Sequence, residues 1–384
     1  MPRKVCAVIT ARASYSRIKT ALQAISRHTQ LKLDLVVAAS ALLNRYGEAI
    51  TFIERDGFVP SARVYSVVEG ETLLTSAKST GMGIIELATC LDNLQPDVVI
   101  TVADRYETLA TAIVASYMNI PLVHLQGGEV TGSIDEKVRH AVTKLADIHF
   151  VSTQKAAERV LRLGESPEKV YITGCPSLDL ALNIMNGGSQ LPDPFSQYGG
   201  VGPRFDFSSG YLVAIQHPVT TEYEMALEHV TATLHAVYET GMPTFWFWPN
   251  VDAGSDGTSK GIRVFREHHP DANIHFFRGM DPMDFLQLVY HSCAVVGNSS
   301  LGIRECSFMG IPAVNIGTRQ DGRERAENVV DVGYDKAAII GAINQQLSRG
   351  RYTASHLYGD GRTGQRIADL LSTVPLSYEK KLPY

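Results

Sequence analysis

Three arginines, four carboxylates, one histidine and a serine pair stand where their chemistry could be pooled. Arg12, Arg105 and Arg319 each follow a short apolar run, as do Asp104, Glu129 and His217. A planar guanidinium can bind two oxygens at once, which suits a diphosphate. The stretch Ala294-Val295-Val296-Gly297-Asn298-Ser299-Ser300 is an apolar run, a turn and two hydroxyls. It leads into a helical pattern over Ile303 to Met309 that Gly310-Ile311-Pro312 would end. Unpaired amides and the positive end of a helix dipole favour phosphate at such a start. Glu305, one turn further on, could accept hydrogen bonds from a ribose diol. An ordinary capped helix with an acidic first turn has the same local pattern. The three arginines and the Ser299-Ser300 helix start together point to a nucleotide diphosphate. The chain has neither a G-x-x-x-x-G-K-[ST] loop nor a G-x-G-x-x-G fingerprint, which argues against an ATPase or an NAD dehydrogenase.

Asp104, Glu129 and Asp135 are the acid–base candidates, because a carboxylate in a half-dry, charged setting can have its pKa moved to where proton transfer is useful. Asp104 and Asp135 also read as helix caps. His217, held at a strand exit by Pro218, could touch a phosphate or pass a proton. A purely structural histidine fits the same place. Asn298-Ser299-Ser300 matches a glycosylation sequon, but no secretion signal accompanies it. No His/Cys/carboxylate spacing resembles a metal site, and no G-x-S-x-G elbow is present.

These residues need a scaffold, and the chain alternates strand and helix patterns. Strands are expected at 5–9, 33–38, 98–102, 122–125, 148–151 and 170–173. Helices are expected at 72–93, from Asp104-Arg105 to about 117, at 134–144 and at 154–163, with Ile18, Leu22 and Ile25 forming the stripe of another. Residues 186–210 turn to Gly, Pro, Ser and Gln and read as a linker. The alternation restarts with strands at 211–215, 244–248, 274–277, 294–296 and 313–316 and a helix at 224–239. His217, Asn250, Ser299 and Arg319 follow strand ends. This implies an α/β fold of two Rossmann-like, doubly wound domains with a central cleft. The first spans 1–185, the second 211–359, and a last helical piece within 360–384 packs back on the first.

The 384 residues suffice for such cores. A net charge of −5 gives no electrostatic case for nucleic acid or a membrane surface, and no apolar run approaches transmembrane length. Five scattered cysteines, none in a C-x-x-C pair, suggest reduced thiols in a cytoplasmic protein.

The chain resembles, over nearly its whole length, the hydrolysing UDP-N-acetylglucosamine 2-epimerases of sialic-acid-type pathways. The resemblance rests on Ala11-Arg12-Ala13-Ser14-Tyr15-Ser16, Asp104-Arg105, Gly127-Gly128-Glu129 through Asp135 to Arg139-His140, Gln216-His217-Pro218, Gly297-Asn298-Ser299-Ser300 with Glu305, and Gly317-Thr318-Arg319-Gln320. It implies a glycosyltransferase-B-like fold with the UDP-sugar between two domains. By the same resemblance Arg12, Ser299, Ser300 and Arg319 hold UDP and Glu305 the ribose. Asp104, Glu129, Asp135 and His217 are the catalytic group, and Ser16, Arg105 and Arg139 bind substrate. Non-hydrolysing relatives usually carry Glu-Ala-Gly-Leu-Arg where this chain has Gln126-Gly127-Gly128-Glu129-Val130. Ser14, Ala41 and Gln126 depart from the family's usual acidic residue, histidine, and glutamate or histidine. A 4-acetamido-6-deoxy sugar nucleotide of legionaminic acid synthesis is therefore a second substrate class beside UDP-N-acetylglucosamine.

The implied reaction is anti elimination of UDP to a glycal, then addition of water to give the free 2-epimer. It calls for no redox cofactor and no metal. A homodimer or homotetramer is expected from the family. A glycosyltransferase of the same fold, a non-hydrolysing epimerase and a nucleotide-sugar sensor are the rival readings.

Overall fold

The computed structural model describes residues 1–43, 49–70, 72–103, 105–131, 135–187, 191, 193–249 and 254–381. Two residues singled out above, Asp104 and Asn250, lie outside the described residues.

A first parallel sheet contains β1 (Arg3–Ile9), β2 (Leu31–Ala38), β3 (Ala62–Val64), β4 (Val98–Val102), β5 (Leu122–Leu125), β6 (Ile148–Val151) and β7 (Val170–Ile172). Their spatial order is β3-β2-β1-β4-β5-β6-β7. Every pair is parallel. The middle strands are apolar on both faces because both are covered. Along β1, Val5, Ala7 and Ile9 enter one core with Ile18, Leu22 and Ile25. Cys6 and Val8 enter another with Leu87, Leu91 and Val142. Each fully buried valine, leucine or isoleucine contributes about 1.5–3 kcal/mol.

The second sheet contains β8 (Leu212–Ile215), β9 (Thr244–Phe247), β10 (Ile274–Phe277), β11 (Ala294–Gly297), β12 (Ala313–Ile316) and β13 (Val329–Val332), again all parallel. Its order is β10-β9-β8-β11-β12-β13. Both sheets are thus doubly wound, with the strand order reversing between β1 and β4 in one and between β8 and β11 in the other. Ligands of such sheets bind beyond the carboxyl ends of the strands at these switch points.

Two short edge strands, β3 and β13, are absent from the sequence reading. Their three and four residues are too few to show a period. The helix expected from Ile303 is also shorter. Ser300–Gly302 forms a 3₁₀ turn, and the α-helix covers only Glu305–Met309.

The chain divides into two compact units: Met1–Glu129, Ile134–Asp179 and Tyr358–Tyr384 in one, and Val130–Ser133 with Leu180–Leu357 in the other. The glycine- and proline-rich stretch 186–210 falls in the second unit, and its described part from 193 on is packed rather than loose. It carries a helix, Pro194–Tyr198. The rings of Phe195, Phe205 and Phe207 lie 5.6, 5.0 and 5.4 Å from Phe245.

The C-terminal segment is tied into the first unit by polar groups. Asp179 accepts from the Thr363 and Gly364 amides at 2.8 and 2.6 Å, capping the helix Thr363–Thr373. Beyond it, Lys380 Nζ donates to the carbonyls of Thr143 (3.2 Å) and Ala146 (2.5 Å) and pairs with Glu165 at 2.7 Å. Lys144 and His149 meet the same carboxylate at 2.7 and 2.9 Å. Burial lowers the His149 imidazole below its ordinary 6.5. Burial would raise the Glu165 carboxyl, but hydrogen bonds from His149, Lys144 and Lys380 outweigh it and hold it at about 2, against an ordinary 4.5. For both groups the unfolded chain binds more protons, so the stability they contribute is present above the ordinary value and is lost as pH falls through the folded one. The urea midpoint should therefore decline below pH 6.5, most steeply from 4.5 towards about 2. Lys380→Met should cost about 1.5–3 kcal/mol at neutral pH. A midpoint that stays flat from pH 6.5 down towards about 2, in wild type and variant alike, would show that the cluster contributes nothing.

Candidate functional site

At the first switch point, Arg12 opens a short helix, Arg12–Ser16, three residues after β1 ends. Ser16 Oγ donates to the Arg12 carbonyl at 3.0 Å. Burial pulls the Arg12 guanidinium below its ordinary value. Arg105 precedes the helix Tyr106–Tyr117 and lays its fork on Glu107, Nε to Oε2 at 3.1 Å and Nη2 to Oε1 at 3.2 Å. Ser40 Oγ lies 3.4 Å from the same carboxylate and 2.9 Å from the Thr10 carbonyl. Glu107 thus links the exits of β1, β2 and β4, although its sequence position shows only an acidic first turn.

Ala103, the last described residue before Asp104, sits in left-handed backbone at φ 62°. Its carbonyl lies 2.8 Å from Nε2 of the fully buried His124, whose Nδ1 is 3.1 Å from Thr143 Oγ1. A carbonyl can only accept, so Nε2 carries the hydrogen and Nδ1 is left to accept from the threonine.

The turn after β5 is compressed against its neighbours. A Cβ on Gly127 would fall 2.8 Å from His124 Nδ1, and one on Gly128 would fall 2.2 Å from the Ala156 carbonyl oxygen. Only glycine fits there, and Gly128 also needs its φ of 75°. Gln126 Nε2 donates to Cys175 Sγ at 2.9 Å, and that sulfur lies 3.0 Å from Ser177 Oγ. Glu129 is 4% exposed, with Ser152 Oγ donating to Oε1 at 3.1 Å. Asp135 opens the helix Asp135–Leu145. Arg139, on that helix, is fully buried and donates to the Glu129 carbonyl at 3.0 Å and to Glu136 at 2.8 Å. It braces the Glu129 turn from inside.

At the second switch point, His217 is buried two residues past β8. Asn298, just past β11, accepts from the His217 amide and donates to the His217 carbonyl, both at 2.8 Å. The Asn298 carbonyl accepts from Gln320 Nε2 at 2.8 Å and Arg319 Nη1 at 3.4 Å, which draws in the exit of β12. Ser299 Oγ accepts from the Leu301 amide at 3.4 Å. Ser300 Oγ accepts from the buried Arg304 at 2.8 Å. Glu305 is 6% exposed, and its Oε2 has no hydrogen-bond partner among the described residues.

Each unit therefore gathers its singled-out residues at its own switch point: Arg12, Ser16 and Arg105, flanked by Glu129, Asp135 and Arg139, in the first, and His217, Ser299, Ser300, Glu305 and Arg319 in the second. Glu107, His124, Ser152, Asn298 and Arg304 join them through side-chain bonds that no sequence period announces. Among the described residues there is no cluster of three His, Cys, Asp or Glu able to hold a metal, and no helix long and apolar enough to cross a membrane.

The family model described as UDP-N-acetylglucosamine 2-epimerase matches residues 23–372. A Legionella pneumophila relative named UDP-N,N'-diacetylbacillosamine 2-epimerase (hydrolyzing) is 32% identical over 376 residues, 98% of this chain and 97% of its own. A Neisseria meningitidis UDP-N-acetylglucosamine 2-epimerase is 28% identical over 375 residues, covering 96% and 95%. The crystal structure of the Methanocaldococcus jannaschii UDP-GlcNAc 2-epimerase in complex with UDP-GlcNAc and UDP matches with a TM-score of 0.80 at 18% identity, over 96% of this chain and 99% of that one. That likeness shows a shared glycosyltransferase-B-like fold. With the family match spanning most of the sequence, the chain belongs to the UDP-N-acetylglucosamine 2-epimerase family.

Proposed function

We propose that this chain is a hydrolysing 2-epimerase, converting a UDP-2-acetamido sugar to the free 2-epimer and UDP. The observation that carries this is the 32% identity, across nearly the whole of both chains, to a relative named as hydrolysing. The tight Gly127-Gly128 turn that buries Glu129 supports it.

The C2 proton of the sugar is not acidic, so its loss must be coupled to departure of the nucleotide. A carboxylate takes that proton, the C1–O bond breaks, and the electron pair leaves with UDP, giving a glycal. Arg12, Arg319, Ser299 and Ser300 stabilise the diphosphate as its charge grows. Water then adds its oxygen at C1 while a proton returns to C2 from the other face. Asp104, Glu129, Asp135 and His217 share these proton transfers, because Gln126 cannot act as an acid or base. Glu305, with a buried acceptor to spare, takes the ribose hydroxyls. Ser16 and Arg105 bind directly, and Arg139 acts through the Glu129 turn. The reaction runs in the cytoplasm, where the free cysteines stay reduced.

Incubating the protein with UDP-N-acetylglucosamine and no acceptor should yield free N-acetylmannosamine and UDP by NMR. Accumulation of UDP-N-acetylmannosamine without free sugar would assign the chain to the non-hydrolysing branch. No release without an added acceptor would favour a glycosyltransferase. The name of the Legionella relative makes UDP-N,N'-diacetylbacillosamine the second substrate to assay, with kcat/KM deciding between them.

A further inference from the structure

β8 and β11 lie side by side at the second switch point, and their register ends at Gly297 opposite Ile215. One more backbone bond follows, from the Asn298 amide to the Ile215 carbonyl at 3.1 Å. Past it the backbone ladder stops, because the Asn298 carbonyl that would accept from the His217 amide is turned to Gln320 and Arg319 on the β12 exit. The Asn298 carboxamide takes over as a surrogate peptide, Oδ1 accepting from the His217 amide and Nδ2 donating to the His217 carbonyl, both at 2.8 Å. The approach depends on Gly297, at φ 127°, whose Cβ would lie 2.0 Å from the Ile215 carbonyl oxygen. Asn298 is fully buried, so its sequon is out of reach of any modifying enzyme.

Its two halves serve different strands. Among the described residues the side chain holds only the β8 exit, and the backbone carbonyl holds Gln320 and Arg319 on the β12 exit. A side-chain substitution can therefore disturb His217 and leave the proposed nucleotide contacts in place. We infer that Asn298 is a positioning residue that extends the sheet by one residue to fix His217, resting on the reading in which His217 takes part in proton transfer.

Asn298→Asp keeps an acceptor for the His217 amide but sets a second oxygen against the His217 carbonyl, and Asn298→Ala removes both bonds. Each should lower kcat about 10–100-fold, with KM and UDP affinity within about threefold. In a double-mutant cycle, Asn298→Ala added to His217→Gln should cost nothing further, since the two act through one group. Losses that simply add, or a loss of UDP affinity with kcat unchanged, would overturn the inference. Selective ¹⁵N-histidine NMR gives a readout independent of turnover. The His217 amide, assigned from His217→Gln, should shift and lose hydrogen-exchange protection in both Asn298 variants. If that happens while the wild-type protein turns over no UDP-sugar, the clamp stands and the epimerase reading fails. An unmoved His217 amide sinks the clamp itself.

Discussion

Asp104→Asn is expected to lower turnover about 10²–10⁴-fold while UDP binds as before. The substitution keeps size and most hydrogen bonding but removes the basic oxygen that would take the C2 proton. Asp104 follows β4, all five of whose residues are buried, and β4 borders the first switch point. Its described neighbours are both bonded, one through its backbone and one through its side chain. The Ala103 carbonyl is pinned by His124, and the Arg105 fork is bonded to Glu107. A base needs accurate placement, because misplacement by about 1 Å can cost about 10² in rate. Product formed by the wild-type protein in D₂O should carry deuterium at C2, since the returning proton comes from exchangeable groups. Hydrogen alone at C2 would argue for direct hydrolysis at C1 without elimination. Near-normal turnover in Asp104→Asn would move the base to Glu129 or Asp135, and Glu129→Gln and Asp135→Asn would then show the large loss.

The scaffold of these groups is legible in the sequence because strand exits announce themselves. Val98 to Val102 and Ala294 to Val296 are apolar runs cut off by small or charged residues, and whatever follows them must lie at the carboxyl edge of a sheet. Composition and period thus lead to Arg12, Arg105, Glu129, His217 and Ser299 without coordinates. The residues that orient them stay hidden. Asn298 binds His217 across 81 positions and His124 binds Ala103 across 21, by side chain to backbone, and such bonds leave no periodic trace. Glu107 looks like any acidic residue in a helix's first turn until its fork pairing with Arg105 is seen. The stretch 186–210 reads as a linker because Gly and Pro dominate it, yet Phe195, Phe205 and Phe207 pack on Phe245 and outweigh that composition.

Arg319→Ala should weaken UDP binding about 10–150-fold, the loss of about 1.5–3 kcal/mol from one charged hydrogen-bonded contact, with little change in melting temperature. The expectation of a sound fold has a structural basis. Arg319 is only partly buried, and its contact with the Asn298 carbonyl is long at 3.4 Å, whereas Gln320 holds the same oxygen at 2.8 Å. The β12 exit therefore stays anchored when the guanidinium is removed. Arg319→Lys should recover only part of the affinity, because an ammonium keeps the charge but not the planar fork that meets two phosphate oxygens. The double change Ser299→Ala, Ser300→Ala should also weaken UDP binding, but with a fall in stability. It removes the hydroxyl that accepts from the buried Arg304 at 2.8 Å, and such a loss costs about 1–3 kcal/mol. Isothermal titration calorimetry with UDP, run beside thermal denaturation, separates the two effects. Unchanged UDP affinity in Arg319→Ala and in the double serine variant would remove the diphosphate from the second switch point, and the anchor would then have to be Arg12 at the first.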